Sequence, residues 1–333
     1  MVNAMRSLFA AIILCLASFA AAEVTIFRVS PSKTDPAITS YDEPHWIYVN
    51  RDIVVSQQHG LPQDRRQLLV FLNGTGGTAA GAEAFLNLAA NLGYHVISLM
   101  YPDDVPASAC GYDRDPTSFE RFRMAIIQGG RASIKGDRQL FDVSQTDSIE
   151  NRLSRLLVFL AQKRPRERWA QFLNDDGTIR WESIAVSGQS QGGGHAALIG
   201  IKHRLARVLC FGAPKDYSRR YNAPAAWYGD PSATPKSLFF AFNHVQDPKG
   251  CTPQELYRNL QALQLDSFGP WVDVTKVEAP FNHARILYTS WPQLVIEGED
   301  SDAAKIAHGT ALKSHNAERW TPVWTYMLTE PGQ

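Results

Sequence analysis

Apolar residues in this chain gather in short unbroken runs, and stretches of helical period separate them. "QLLVFLNGTGG" is a continuous apolar run that ends in a glycine loop. "AEAFLNLAANLG" behind it is amphipathic at helical spacing and closes on Gly93. "YHVISLMYP" is the next apolar run, stopped by Pro102. The alternation continues. "SFERFRMAIIQG" reads as a helix within a polar stretch, 103–145. "TDSIENRLSRLLVFLAQKRP" reads as a long helix with Asp147 as its N-cap and Pro165 at its end. "IRWESIAVSGQS" predicts a strand and "QGGGHAALIGIKH" a helix. "ARVLCFGAP", "KSLFFAFNHVQD" and "ARILYTSW" predict strands, and "QELYRNLQALQ" and "PVWTYMLT" predict helices. Strands that are apolar throughout need cover on both faces, so the pattern predicts a mostly parallel sheet with helices on each side, an α/β fold. "EVTIFRVSPS" and "HWIYVNRDIVV" instead read as antiparallel strands at one edge of it. No linker divides residues 23–333, which are expected to form one domain. Residues 215–235 are the longest irregular insertion, read as either a surface loop or a lid over an active-site mouth.

The first residues follow a different pattern. Arg6 precedes an apolar run from Leu8 to Phe19, and Ala20-Ala21-Ala22 stand before Glu23. A charged start, an apolar centre and a small-residue end predict a secretory signal peptide over 1–22, too short for a membrane span. The expected location is therefore secreted or periplasmic, with no stable membrane span after cleavage. Composition changes little else. The 333 residues carry 33 basic and 33 acidic side chains, and this balance gives no electrostatic reason to expect a nucleic-acid partner. Past the leader three cysteines remain. Cys210 lies in an apolar strand pattern, whereas Cys110 and Cys251 lie in loop sequence, where an exported protein can pair them. A Cys110–Cys251 bridge is weighed there against three free thiols.

Chemistry enters at the junction between one strand and its helix. Gly188-Gln189-Ser190-Gln191-Gly192 matches G-x-S-x-G. The pattern alone arises by chance in about one chain in ten of this length. Its place, after a strand and before a helix, is what a nucleophile elbow requires. The turn holds the serine in a strained conformation, and glycines two residues away on each side relieve the crowding. The Gln191 amide at the helix start then serves as one oxyanion donor. A second donor should come from the loop after an earlier strand, Asn73-Gly74-Thr75-Gly76-Gly77. Thr75 N–H is preferred and Gly76 N–H is the alternative, with Gly74 and Gly76 letting the backbone approach substrate. The loop lacks the lysine of a phosphate loop and the spacing of a dinucleotide loop. Asn73-Gly74-Thr75 is also a glycosylation sequon.

A serine nucleophile needs a base, and the base needs an orienting acid. In chain order the acid should follow the strand "SLFFAFNHVQD", which places it at Asp247; Asp230 precedes that strand and ranks lower. The histidine should follow "ARILYTSW", leaving His308 and His315. His308 is preferred for its small-residue loop, and His315 stays open. His195 and His244 read as packed structural residues. Trp227, in the 215–235 insertion, is a candidate substrate-binding aromatic.

Together these residues resemble the α/β-hydrolase superfamily, serine esterase and lipase type, over most of 66–330. "GTGG", "GQSQGGGHAALI", "GAPKD", "AHG" and the terminal "PVWTYML" are similar to a little-characterised group of secreted members. The resemblance implies an α/β-hydrolase fold with Ser190, Asp247 and His308 as triad and Thr75 and Gln191 at the oxyanion. It also implies cleavage of a small-molecule or polymer ester with no cofactor and no metal. An acyltransferase or peptidase on the same triad, or a binding protein that keeps only the fold, are the alternatives.

Overall fold

The structure is a computed structural model and describes residues 23–56, 63–135, 138–291 and 303–332. The expected leader, 1–22, lies outside the described residues. The chain runs through β1 (Val24–Val29), a short helix α1 (Pro31–Thr34), β2 (His45–Asn50), β3 (Leu68–Leu72), α2 (Glu83–Asn91), β4 (His95–Leu99) and α3 (Ser118–Gln128). A hairpin of β5 (Gly130–Ile134) and β6 (Gln139–Val143) precedes α4 (Ile149–Lys163), β7 (Ile184–Gln189), α5 (Gln191–Lys202) and β8 (Arg207–Phe211). Then come β9 (Tyr217–Ser218), β10 (Ala223–Pro224), β11 (Phe239–His244), α6 (Pro253–Ala262), β12 (Val272–Asp273), β13 (Ile286–Thr289), α7 (Ala303–Gly309) and α8 (Ala317–Thr329).

Nine strands form the main sheet in the order β1-β2-β4-β3-β7-β8-β11-β13-β12. β1 pairs with β2, and β2 with β4, antiparallel; the other neighbours are parallel. The expected antiparallel edge is thus formed by β1 and β2. Alternate residues of β3 separate two cores. Leu68, Val70 and Leu72 join Phe122, Leu156 and Ala197 beneath α3, α4 and α5. Leu69 and Phe71 join Phe85 and Trp324 beneath α2 and α8. Cover on both faces explains why the strands are apolar without alternation.

The order also fixes where a ligand can sit. The chain goes from β3 outward to β4 and then crosses back to β7 on the other side of β3. Strand order therefore reverses around β3, and the loops leaving the carboxyl ends of β3 and β7 diverge to open a crevice.

Several local expectations change. The N-cap of α4 is Ser148, whose side chain accepts from Asn151 N–H; Asp147 instead pairs with Arg152. The segment after β2 does not stay extended but turns into a single wide helical turn, Asp52–Ser56. The polar stretch 103–145 contains the β5–β6 hairpin. Cys110, Cys210 and Cys251 are all free thiols and buried, so the Cys110–Cys251 bridge does not form. Both outer cysteines lie in packed interior, where they serve as small apolar side chains.

Candidate active site

Ser190 joins β7 to α5 with φ 55° and ψ −116°, a left-handed conformation unusual for a residue with a side chain. The flanking glycines have specific steric causes. A Cβ on Gly188 would lie 2.3 Å from the Gly192 carbonyl carbon, and one on Gly192 would lie 2.0 Å from the Leu72 carbonyl oxygen. The elbow is therefore pressed against its own helix and against the end of β3. Gly194 is required by a different neighbour, since its Cβ would meet the Arg123 guanidinium at 2.1 Å. Ser190 N–H donates to the Phe211 carbonyl (2.8 Å), which ties the elbow to β8.

The glycine loop after β3 approaches the elbow closely. A Cβ on Gly74 would meet Gln189 Oε1 at 2.3 Å and Ser190 Cβ at 3.1 Å. The loop is held from behind. Asn73 Nδ2 donates to Asp103 Oδ2 (2.9 Å), Tyr101 OH donates to the Asn73 carbonyl (2.5 Å), and Gly76 N–H donates to the Asp103 carbonyl (3.1 Å). Asn73 is buried by these contacts, so the sequon cannot carry a sugar in the folded chain. Gly76 N–H is occupied, which removes it as the alternative oxyanion donor, and Gly76 borders neither cavity at the site. Among the described residues Thr75 N–H carries no hydrogen bond, and Gln191 N–H, at the first position of α5, has no intrahelical acceptor. The Gln191 side chain spans the gap: its Oε1 accepts from Thr75 Oγ1 (3.0 Å) and from Ala107 N–H (2.8 Å).

Asp247 lies in the turn after β11, and His308 in the last turn of α7 rather than in the expected loop. His308 Nδ1 and Asp247 Oδ2 are 2.7 Å apart. An ionised carboxylate only accepts, so Nδ1 carries the proton and Nε2 is left as an acceptor. Asp247 is wholly buried. Burial alone would raise its pKa, but the hydrogen bond from His308 and the charge of Lys215 outweigh it and hold the carboxyl below its ordinary value. The Lys215 ammonium donates to the same Oδ2 (2.7 Å) and to the Lys249 carbonyl (2.6 Å); Lys249 N–H donates to Oδ1 (3.0 Å). Gln189 Nε2 donates to the His308 carbonyl (3.3 Å), joining the last turn of α7 to the elbow.

Ser190 and His308 border one cavity of about 260 Å³, together with Thr75, Gln191, Lys215 and Lys249. They make no hydrogen bond to each other in this structure; catalytic contacts of this kind often close only around substrate. Gly74 borders a second cavity of about 280 Å³ on the other side of His308. His315 is exposed on a separate turn, and Asp230 pairs with Lys202. Trp227 does not line the site: it is 1% exposed, packs on Tyr228, and donates its indole N–H to Asp216. The 215–235 insertion contributes its first two residues, Lys215 and Asp216, to the cavity wall, while Tyr217, Trp227 and Tyr228 pack inward and Tyr221 is exposed. His195 is fully buried against Tyr101, and burial holds its ring well below the usual histidine pKa; His244 is buried and bonded to the Trp291 carbonyl.

Composition and spacing did not single out Arg123, Lys215, Asp216 or Lys249. Arg123 Nε and Nη2 hold both Asp216 oxygens (2.6 Å each), and Nη1 donates to the Gln191 carbonyl (2.9 Å). One signal was present. Arg123 falls on the buried face of α3 with Phe119, Phe122 and Ile126, and a charge on an apolar face needs a buried partner.

No protein-family model matches the chain, and no curated protein matches it in sequence. Solved structures give distant likenesses. An esterase B from Lactobacillus rhamnosis is 12% identical, covers 92% of this chain and 86% of its own, and has a TM-score of 0.41. A bacterial heroin esterase is 15% identical over 93% and 87%, at 0.39. An S-formylglutathione hydrolase from Agrobacterium tumefaciens is 15% identical over 72% and 82%, at 0.37. Similarity this remote leaves the functional reading to the geometry of this chain. Its sheet order, its strained serine between β7 and α5, and the acid and histidine that follow β11 and β13 give the chain an α/β-hydrolase fold.

Proposed function

We propose that the protein is an exported serine hydrolase that cleaves carboxylic esters through an acyl-enzyme. The observation that carries this reading is the buried Asp247–His308 pair bordering the same cavity as the strained Ser190. Export rests on the leader pattern of residues 1–22. In the proposed reaction Ser190 Oγ attacks the acyl carbon and its proton passes to His308 Nε2. Asp247 holds the ring with Nε2 toward the serine and offsets the imidazolium charge. The tetrahedral oxyanion is bound by the free N–H groups of Thr75 and Gln191. The C–O bond to the alcohol breaks, and the alcohol oxygen takes the proton from His308. Water then gives its proton to His308 and attacks the acyl carbon. The carboxylic acid leaves as Ser190 recovers the proton. The Gln191 side chain keeps the two oxyanion amides in register by holding Thr75 Oγ1.

Initial rates on 4-nitrophenyl acetate test the reading. Wild type hydrolyses it, and Ser190→Ala and His308→Ala each lower kcat by about 10³-fold or more, with circular dichroism unchanged. Full activity in Ser190→Ala contradicts it.

A further inference from the structure

The wall of the catalytic cavity is rich in donors, and nearly all of its charged groups are committed. Among the described residues its one carboxylate, Asp216, accepts from Arg123 at both oxygens and from Trp227 Nε1 at Oδ2. The Arg123 guanidinium is held by Asp216 and the Gln191 carbonyl. The Lys215 ammonium is held by Asp247 and the Lys249 carbonyl.

Besides the Thr75 and Gln191 backbone N–H groups, two side-chain nitrogen donors are left among the described residues. Gln191 is 4% exposed, and its amide orientation is fixed because Oε1 must accept from Ala107 N–H. Among the described residues its Nε2 has no acceptor and is buried, a state that costs about 1–3 kcal/mol. Lys249 is the second. Among the described residues its ammonium makes no ion pair and no hydrogen bond, while its backbone is pinned to Asp247 and Lys215. The lysine borders both the catalytic cavity and its neighbour beyond His308. Most of the side chains that line the catalytic cavity are polar, with Pro106 and Ala107 the apolar ones.

We propose that the cavity takes a short ester carrying a second, anionic group, a carboxylate, and that Lys249 is the residue that recognises it. This rests on the ester-hydrolase reading above. A neutral ester of the same size leaves the Lys249 ammonium unanswered, and a cationic one meets it at like charge.

Matched substrate pairs test this by pH-stat. Methyl hydrogen glutarate against methyl valerate places the carboxylate on the acyl side; 4-acetoxybenzoate against phenyl acetate places it on the leaving side. The quantity read is the ratio of anionic to neutral kcat/KM, in which any general loss in a variant cancels. The expected ratio is ten or more in one of the two pairs, and that pair identifies the side. It should fall several-fold between 20 mM and 500 mM salt. Lys249→Met should bring it to about one, and Lys249→Arg should preserve it. A ratio near or below one in both pairs, or a ratio unchanged in Lys249→Met, overturns the proposal. Calorimetry of Ser190→Ala with the two methyl esters reads recognition without turnover. Tighter binding of the anionic ester supports the proposal, and equal binding overturns it, whatever the fate of the hydrolase reading.

Discussion

Asp103 shows how one residue behind the site governs its shape. The carboxyl receives Asn73 Nδ2, and its backbone carbonyl receives Gly76 N–H, so the loop after β3 hangs from it. Burial is the main influence on its acidity. It outweighs the hydrogen bonds from Asn73 and Gly77 and pushes the pKa up to about 6 from 3.8. Between those two values the folded chain binds more protons at this residue than the unfolded chain. Stability contributed here is therefore present at low pH and declines as pH rises from about 4 through 6, by at most about 3 kcal/mol. Asp103→Asn keeps an acceptor for Asn73 and removes the titration. Urea denaturation at pH 4, 5, 6 and 7 should show a shallower decline in the variant; identical slopes would mean that Asp103 does not carry the effect. The same scale shows where the sequence stopped being readable. Chain order placed Asp247, and it narrowed the histidine to His308 or His315. Nothing in the sequence told that 308 ends a helix turned toward Asp247 while 315 faces solvent. Lys215 was out of reach for a similar reason: its partner lies 32 residues further on, and only the tertiary fold brings the two together.

The element that defines the site is the strand–turn–helix of β7 and α5. Its glycines are a record of backbone contacts, and this made the elbow legible from local sequence alone. Gly192 meets the Leu72 carbonyl, which cannot yield without moving β3. Gly192→Ala is expected to cost about 3 kcal/mol or more, or to abolish soluble expression. Gly229, with open space around the position of a Cβ, is the matched control. Gly229→Ala should stay within about 0.5 kcal/mol of wild type. Equal thermal midpoints for the two variants would remove the steric basis of the elbow. Other elements were less legible. The β5–β6 hairpin has exposed faces and only a weak alternating pattern, and two-residue strands such as β12 carry no periodicity to read. The insertion after β8 drew attention through its aromatics, yet Trp227 and Tyr228 pack inward and the polar pair before them reaches the cavity.

Across the whole molecule, the unbroken apolar strands implied a sheet covered on both faces, and the two cores on either side of β3 show it. Loop sequence around Cys110 and Cys251 left a bridge between them open, but long connections in a large α/β domain fold back onto the core, and the thiols are buried there unpaired. Burial raises all three thiols, Cys210 and Cys251 to about 12 and Cys110 higher still. Iodoacetamide at pH 8 should leave Cys110, Cys210 and Cys251 unmodified in the native protein and alkylate all three in guanidinium, as read by peptide mapping. Protection in guanidinium without reductant would reveal a bridge instead.

The sheet order brings one serine, one histidine and one buried carboxylate to the crevice beside β3, and the proposed chemistry depends on that convergence. The most direct measurement is mass spectrometry of the wild-type protein after treatment with a fluorophosphonate, with the adduct mapped to a residue. A single adduct on Ser190, absent from Ser190→Ala and much slower in His308→Ala, is the predicted result. No adduct, or one on another residue with Ser190 unmodified, would contradict it.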